Sequence, residues 1–310
     1  MIALLQLGKA GEAAPLVERM AELVPDRVQV VDQLRRIVAL VDFDWPADRG
    51  DARVGAVRPP AAADVELVTF HVALEAGAGF DYAALLAHSF ESARLRAPAS
   101  RRVLLTDEHT KLPSFGAGVD VMRVPLDREH LMYERMRVQH EYLLARRPGT
   151  ATVFLDSDVV VNAEPAPVFG EDFDVGLTYR PVVDAPFNGG VIFVAPGEGG
   201  ERSFAKALAC YRALAEAPAI APRFPRDLRA WWGDQYALAA LVGWRALGTR
   251  GSDTVSVDGV RVRIFPCETH NHTVEAREYG AHELRSKFFI HFKGARKELM
   301  ARYLETLRKA

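Results

Sequence analysis

Thr152-Val153-Phe154-Leu155-Asp156-Ser157-Asp158-Val159-Val160-Val161 opens as an apolar strand and delivers two carboxylates separated by one small residue. Two anions so close repel each other unless a cation lies between them. The arrangement therefore favours a divalent metal with oxygen ligands. The same letters also fit Asp156 as a turn-former and Asp158 as an N-cap.

Further strands are predicted on either side of this stretch. Toward the N-terminus lie Val65 to Val72, Val103-Leu104-Leu105 closing on Thr106-Asp107, and Val119 to Val124; toward the C-terminus lie Val175 to Tyr179, Gly190 to Val194 and Arg261 to Phe265. Helical spacing fills the gaps at Tyr82 to Leu95, Glu129 to Arg146, Arg202 to Glu216 and Trp231 to Val242. Strands alternating with helices in this way predict an α/β domain with an open, mostly parallel sheet covered on both faces. Ligands of such a sheet bind beyond the carboxyl ends of the strands.

Before this domain, apolar residues recur at helical spacing over Ile2 to Leu7, Ala13 to Leu23 and Val28 to Leu40, with Gly8 and Pro25-Asp26 between them. Three short helices follow one another. Gly8, Ala13 and Pro25 fall at the turn, packing and stop positions of a tetratricopeptide repeat, and a generic helical hairpin fits equally well. Either way residues 1–42 form an accessory or dimerising element. Residues 43–64, with Trp45-Pro46, Arg49-Gly50-Asp51 and Pro59-Pro60, read as a linker, and 65–310 as the α/β domain.

Composition narrows the class. The 310 residues carry 39 Lys+Arg against 41 Asp+Glu, and this balance argues against a protein that grips nucleic acid through a basic face. No apolar run is long enough for a membrane span and no secretory signal opens the chain, so a cytoplasmic protein is expected. Cys210 and Cys267 have neither the spacing nor the partners of a metal or redox site.

Three more clusters carry chemistry. In Phe187-Asn188-Gly189-Gly190-Val191 the amide can both donate to and accept from a sugar hydroxyl, and the glycines permit close approach; a Gly-Gly turn with a capping Asn is the alternative. Trp231-Trp232-Gly233-Asp234-Gln235-Tyr236 reads as a helix start, with Asp234 able to cap it and the aromatics able to form a platform for a sugar ring or to pack in the core. In Phe289-Ile290-His291-Phe292-Lys293-Gly294-Ala295-Arg296-Lys297 an apolar strand ends at an imidazole, followed by a glycine and three cations. The closing helix, about Lys297 to Leu307, reads as a docked amphipathic helix whose basic face could also meet an anionic lipid surface.

Taken together, the four clusters resemble the GT-A glycosyltransferases, most closely the retaining family 8 group that includes glycogenin and bacterial lipopolysaccharide galactosyltransferases. The resemblance covers roughly Val65 to Lys297. Asp156-Ser157-Asp158 is similar to the family's Asp-x-Asp, Asn188-Gly189-Gly190 to its Asn-x-Gly loop, and Asp234-Gln235 to its Asp-Gln pair. His291 to Lys297 fits His-x-x-Gly-x-x-Lys.

The resemblance implies that Asp156, Asp158 and His291 hold Mn²⁺ or Mg²⁺ against the two phosphates of a nucleotide-sugar, with the imidazole tilting the choice toward Mn²⁺. It implies donor contacts from Ser157, Gly189, Gly294 and Lys297, and a sugar lined by Asn188, Asp234 and Gln235. Arg135 or Arg137 would reach the sugar-diphosphate. The nucleotide would sit where the first strands end, with His71 lining its pocket and Asp107 accepting from the base. In this region the sequence departs from the family pattern, because Ala73 to Gly79 carries no Thr or Asn-Asp.

The implied reaction moves a sugar from a nucleotide-sugar, UDP-sugar favoured, to a glycan, lipid-linked or protein acceptor with retention. Two competing readings are a nucleotidyltransferase, disfavoured by the lack of a cation in the loop after the first strand, and a non-catalytic scaffold. The N-terminal helices would serve a second copy or a protein partner.

Overall fold

A computed structural model of the chain describes residues 4, 9–42, 60–73, 79–115, 118–180, 186–218, 220–224, 227–242, 254–275, 278 and 282–309. The apolar stretch that opens the sequence reading is strand β4 (Ala151–Leu155), buried throughout. It lies inside an eight-stranded sheet with β1 (Val65–Phe70), β2 (Arg101–Thr106), β3 (Val119–Arg123), β6 (Val175–Tyr179), β7 (Phe187–Val194), β8 (Thr254–Val257) and β9 (Val260–Pro266). The strand order is β3-β2-β1-β4-β7-β6-β9-β8.

The pairs β1–β2, β2–β3, β1–β4 and β6–β9 are parallel, and β4–β7, β6–β7 and β8–β9 are antiparallel. The expected α/β architecture is therefore present, with β7 as the antiparallel insertion that divides the parallel half from the rest. A separate ribbon pairs β5 (Val159–Val161) with β10 (Phe289–His291), setting His291 opposite Val159.

Alternation along the strands puts a core on each face. Val68, Phe154 and Ile192 face one side, packed with residues of α4 (Leu131–Ala145), α5 (Glu198–Glu216) and α6 (Gly233–Val242). Leu67, Val153, Leu155 and Val191 face the other, against Val159, Val161 and Phe289 of the ribbon and Ala93 of α3 (Tyr82–Arg96). Beyond the short α7 (Cys267–His270), helix α8 (Met300–Lys309) is docked, burying Met300, Tyr303, Leu304 and Leu307 in a cluster with Leu85 and Phe292.

Near the N-terminus, α1 (Ala10–Leu23) and α2 (Val28–Val41) pack through Ala13, Val17, Val31, Leu34 and Ile37. Leu40, in the last turn of α2, joins the main core. The expected first helix lies almost wholly outside the described residues, as does the linker from 43 to 59.

Two differences from the sequence reading have physical causes. β8 and β9 form a hairpin whose turn residues Asp258 and Gly259 have φ of 49° and 73°, the left-handed pair that an Asp-Gly turn supplies. β7 begins at Phe187, so Asn188-Gly189-Gly190 lies within a strand rather than in a loop or turn. The pairing with β6 jumps from Leu177↔Ile192 to Thr178↔Asn188. A bulge of this kind re-aims the intervening residues toward what lies beyond the strand.

Candidate active site

The carboxyl end of β4 places Asp156 and Asp158 on either side of Ser157, and the Asp156 N–H donates to the Gly190 carbonyl of β7 at 2.9 Å. The β5–β10 ribbon returns His291, 133 residues beyond Asp158, to the same point. Its Nε2 stands 3.1 Å from Asp158 Oδ1 and 3.9 Å from Asp156 Oδ2. One ligand atom from each of Asp156, Asp158 and His291 lies within 4.8 Å of the others.

Asn271 sets the tautomer of His291. The Asn271 Nδ2 donates to Thr178 Oγ1 at 2.9 Å and to Asn188 Oδ1 at 2.8 Å, so its Oδ1, 2.9 Å from His291 Nδ1, is an acceptor. Nδ1 therefore carries a proton, and Nε2 is the ring atom turned toward the carboxylates. This is the outer-shell bond that fixes a ligating histidine. Two carboxylates and an imidazole nitrogen form a donor set suited to Mn²⁺ or Mg²⁺, so the residues fit the ion.

Cations surround this triad. Lys297 Nζ lies 2.6 Å from Asp158 Oδ2, with Phe80 and Tyr82 each 5.7 Å below its charge. Burial alone would raise the Asp158 carboxyl, but His291 and Lys297 outweigh it and hold the group well below the usual carboxylate range. Arg135, on α4, donates to Asp156 Oδ1 at 2.6 Å and to Asp234 Oδ2. Arg137 instead engages Glu134 and Glu141. Of these two arginines, Arg135 is the one that reaches the site.

Asp234 is buried, and its Oδ1 has no hydrogen-bond partner among the described residues. Burial pushes its carboxyl above the ordinary value against the pull of Arg135. It does not cap its helix through that oxygen.

The glycines of β7 make room for these side chains. A Cβ at Gly189 would stand 2.7 Å from Arg135 Nη2 and 2.9 Å from Asp234 Oδ2; one at Gly190 would stand 2.8 Å from both Asp156 Oδ2 and His291 Nδ1. The close approach expected of a ligand is thus made by the protein's own side chains, the usual reason for glycine inside a strand. Gly294 differs, because no atom lies within 4 Å of its Cβ position and its φ of +58° is the constraint.

All of this opens into a cavity of about 860 Å³ lined by Asp156, Ser157, Asp158, Asn188, Gly189, Gly190, Asp234, Gln235, His291 and Lys297. The size suits a ligand with several functional groups. His71, expected to line a pocket, is in the wall beside Phe70 and Val72, and burial lowers its imidazole pKa.

Asp107 and Gly294 are not brought to the cavity wall. The Asp107 Oδ1 accepts from the Thr110 N–H at 2.7 Å and its Oδ2 lies 3.0 Å from Arg128 Nε, so the carboxylate is committed to its own turn. Burial opposes ionisation there, but the Thr110 bonds and Arg128 hold the group below its ordinary value. The expected aromatic platform splits. Trp231 and Trp232 line the cavity, while Tyr236 is buried against Phe224.

Sequence reasoning missed Asn271, Arg180 and Lys293. The Arg180 Nη2 donates to Gln235 Oε1 at 3.0 Å, and Lys293 lines the cavity with burial lowering its ammonium pKa. Lys293 falls at an unspecified position of the His-x-x-Gly-x-x-Lys pattern. No local signal distinguishes Asn271 from a surface turn residue.

No protein-family model matches the sequence, and no curated protein matches it. Three solved structures that the chain is similar to are glycosyltransferases. One is involved in glycosylating the major capsid of PBCV-1 (17% identity, TM-score 0.43, covering 77% of this chain and 98% of that one). The second is the galactosyltransferase LgtC in complex with donor and acceptor sugar analogs (14%, 0.45, 78% and 95%). The third is GlyE of Streptococcus pneumoniae TIGR4 (14%, 0.48, 79% and 62%).

Proposed function

We propose that the chain is a metal-dependent GT-A glycosyltransferase that transfers a sugar from a nucleotide-sugar, UDP-sugar favoured, to a glycan, lipid-linked or protein acceptor with retention of configuration. The observation that carries this reading is the meeting, in one cavity, of the Asp156–Asp158–His291 triad with the Arg135–Asp234 pair and Asn188. Asp156, Asp158 and His291 would hold Mn²⁺ or Mg²⁺, which when bound neutralises charge on a departing diphosphate.

The chain's own residues supply the rest. Asn188 Oδ1 accepts from the Gly190 N–H and from Asn271, which leaves its Nδ2 to donate to a sugar hydroxyl. Asp234, which lines the same cavity, adds a carboxylate beside the sugar position. Because Arg135 holds the Asp234 carboxylate, that group is a poor nucleophile, and a front-face substitution fits better than a glycosyl-enzyme. In that step the bond from the anomeric carbon to phosphate oxygen breaks, the bond to the acceptor oxygen forms, and the acceptor proton passes to the phosphate oxygen.

The donor class goes with a cytoplasmic setting, as do the two free thiols Cys210 and Cys267. The helical hairpin of residues 9–42 would act as an accessory or dimerising element.

Calorimetric titration of UDP and GDP with and without Mn²⁺ tests the reading. Mn²⁺-dependent binding of UDP, lost in Asp158→Ala, is expected. Well-folded protein that binds neither nucleotide overturns it.

A further inference from the structure

Trp231 and Trp232 are 47% and 45% exposed, and both line the cavity. Two adjacent indoles left half in water cost apolar hydration that core packing would have avoided. Trp232 adds a backbone cost. Its φ is 69°, a left-handed conformation that a bulky residue adopts only where its surroundings enforce it. The backbone is pinned on its C-terminal side, where the Gly233 N–H donates to the Leu228 carbonyl at 3.1 Å and the Trp232 carbonyl accepts from the Gln235 N–H at 3.1 Å. Strain of this kind gathers at ligand clamps.

The position of the pair along the cavity identifies its ligand. Trp231 and Trp232 directly precede Asp234 and Gln235, and Gln235 is bonded to Arg180 at the carboxyl end of β6. His71 and Phe70 mark the other end, at β1. In the sheet β1 and β6 are separated by β4 and β7, which is three strand spacings, or about 14 Å. The triad sits between, at the end of β4. A nucleotide at the β1 end with its diphosphate over the triad points its sugar at Asn188 and Asp234 and leaves the tryptophans beyond it.

We infer that Trp231 and Trp232 form the acceptor subsite and that the acceptor presents a sugar ring, whose apolar face stacks on indole while its hydroxyls meet the Gln235–Arg180 pair. Indole faces suit such ligands because one side of a pyranose is lined with C–H groups. A protein side chain or a lipid phosphate would not need the aromatic surface. The inference rests on the glycosyltransferase reading for the order of ligands along the cavity, but not for the subsite itself.

The test is a glycan array probed with the full chain, alone and with UDP and Mn²⁺, alongside Trp231→Ala and Trp232→Ala and calorimetric titration of UDP into all three proteins. The expected result is binding of a defined set of glycans by the wild type, weakened at least tenfold in one or both variants, with UDP affinity unchanged within twofold. An array without bound glycans, or glycan binding equal in all three proteins, overturns the inference. Glycan binding that depends on the tryptophans in a protein that fails to bind UDP overturns the donor reading and leaves the subsite standing.

Discussion

Replacing Gly190 with alanine isolates the geometry of the site from its chemistry, because no ligand atom is changed. The added Cβ would lie 2.8 Å from both His291 Nδ1 and Asp156 Oδ2, and closer still to His291 Cε1, where ordinary contact begins at 3.4 Å. Reaching ordinary contact from 2.8 Å therefore takes about 0.6 Å of displacement of each group. Gly190 cannot yield, because it is clamped in β7 by the Asp156 N–H on its carbonyl and by Asn188 Oδ1 on its amide. Metal–ligand distances tolerate about 0.2 Å, so the displacement exceeds what coordination allows. Two of the three ligands move at once, and a loss of Mn²⁺ affinity of about 100-fold or more is expected, at the upper end of single outer-shell changes. Overpacking should also cost about 1–3 kcal/mol of stability. Isothermal titration with Mn²⁺, with denaturant unfolding in parallel, reads both quantities. Gly11→Ala, where no atom of the described residues lies within 4 Å of the new Cβ beyond the helix itself, is the control and should leave metal affinity unchanged. Wild-type Mn²⁺ affinity in folded Gly190→Ala would refute the assignment of Asp156 and His291 to one ion.

Three further outcomes follow from the same contacts. Asn271→Leu removes the acceptor on His291 Nδ1 and the donors to Thr178 and Asn188; Mn²⁺ affinity should fall about 10- to 100-fold, and unchanged affinity would mean the tautomer is set otherwise. Arg135→Met strands Asp234 and part of Asp156 without their cation, so unfolding free energy should drop by about 3–5 kcal/mol, measured by urea titration; a drop below about 1 kcal/mol contradicts a buried pair. His270, packed 4.4 Å from the Phe265 ring and 5.1 Å from that of Phe288, is pushed down by burial from 6.5 to about 4. The unfolded chain binds that proton more readily, so stability is complete above about pH 6.5 and falls as pH drops toward 4. The part due to His270 is about 2–3 kcal/mol at pH 4.5 and should vanish in His270→Phe; equal acid sensitivity of the two proteins would exclude it.

Much of this fold is legible in sequence because its decisive elements are local and strongly patterned. β4 is a run of apolar residues ended by charge, and α5 and α8 carry apolar stripes at helical spacing. Pairing partners are less local. Nothing in Val159-Val160-Val161 names Phe289-Ile290-His291 as its neighbour, and the β8–β9 hairpin is announced only by Asp258-Gly259. The same division runs through the site. Asp156, Asp158 and His291 stand at strand ends, where a charged residue after an apolar run draws notice. Asn271 looks like any turn residue until folding buries it and spends its amide on Thr178, Asn188 and His291. Arg135 and Arg137 share a helix two positions apart and cannot be ranked by composition. Helical rotation alone turns one toward Asp234 and the other toward Glu134 and Glu141.

The two-stranded ribbon ties the site's ligands to two layers of the molecule. Asp156 follows β4 of the eight-stranded sheet, whereas Asp158 leads into β5 and His291 ends β10, and the Phe292 N–H donates to the Asp158 carbonyl at 2.9 Å. Phe289, Ile290 and Phe292 are buried on both sides of His291, so the imidazole is anchored in core rather than in a segment that opens on its own. An ion held by Asp156, Asp158 and His291 would therefore act as a rivet between sheet and ribbon, and removing it should loosen the two layers together.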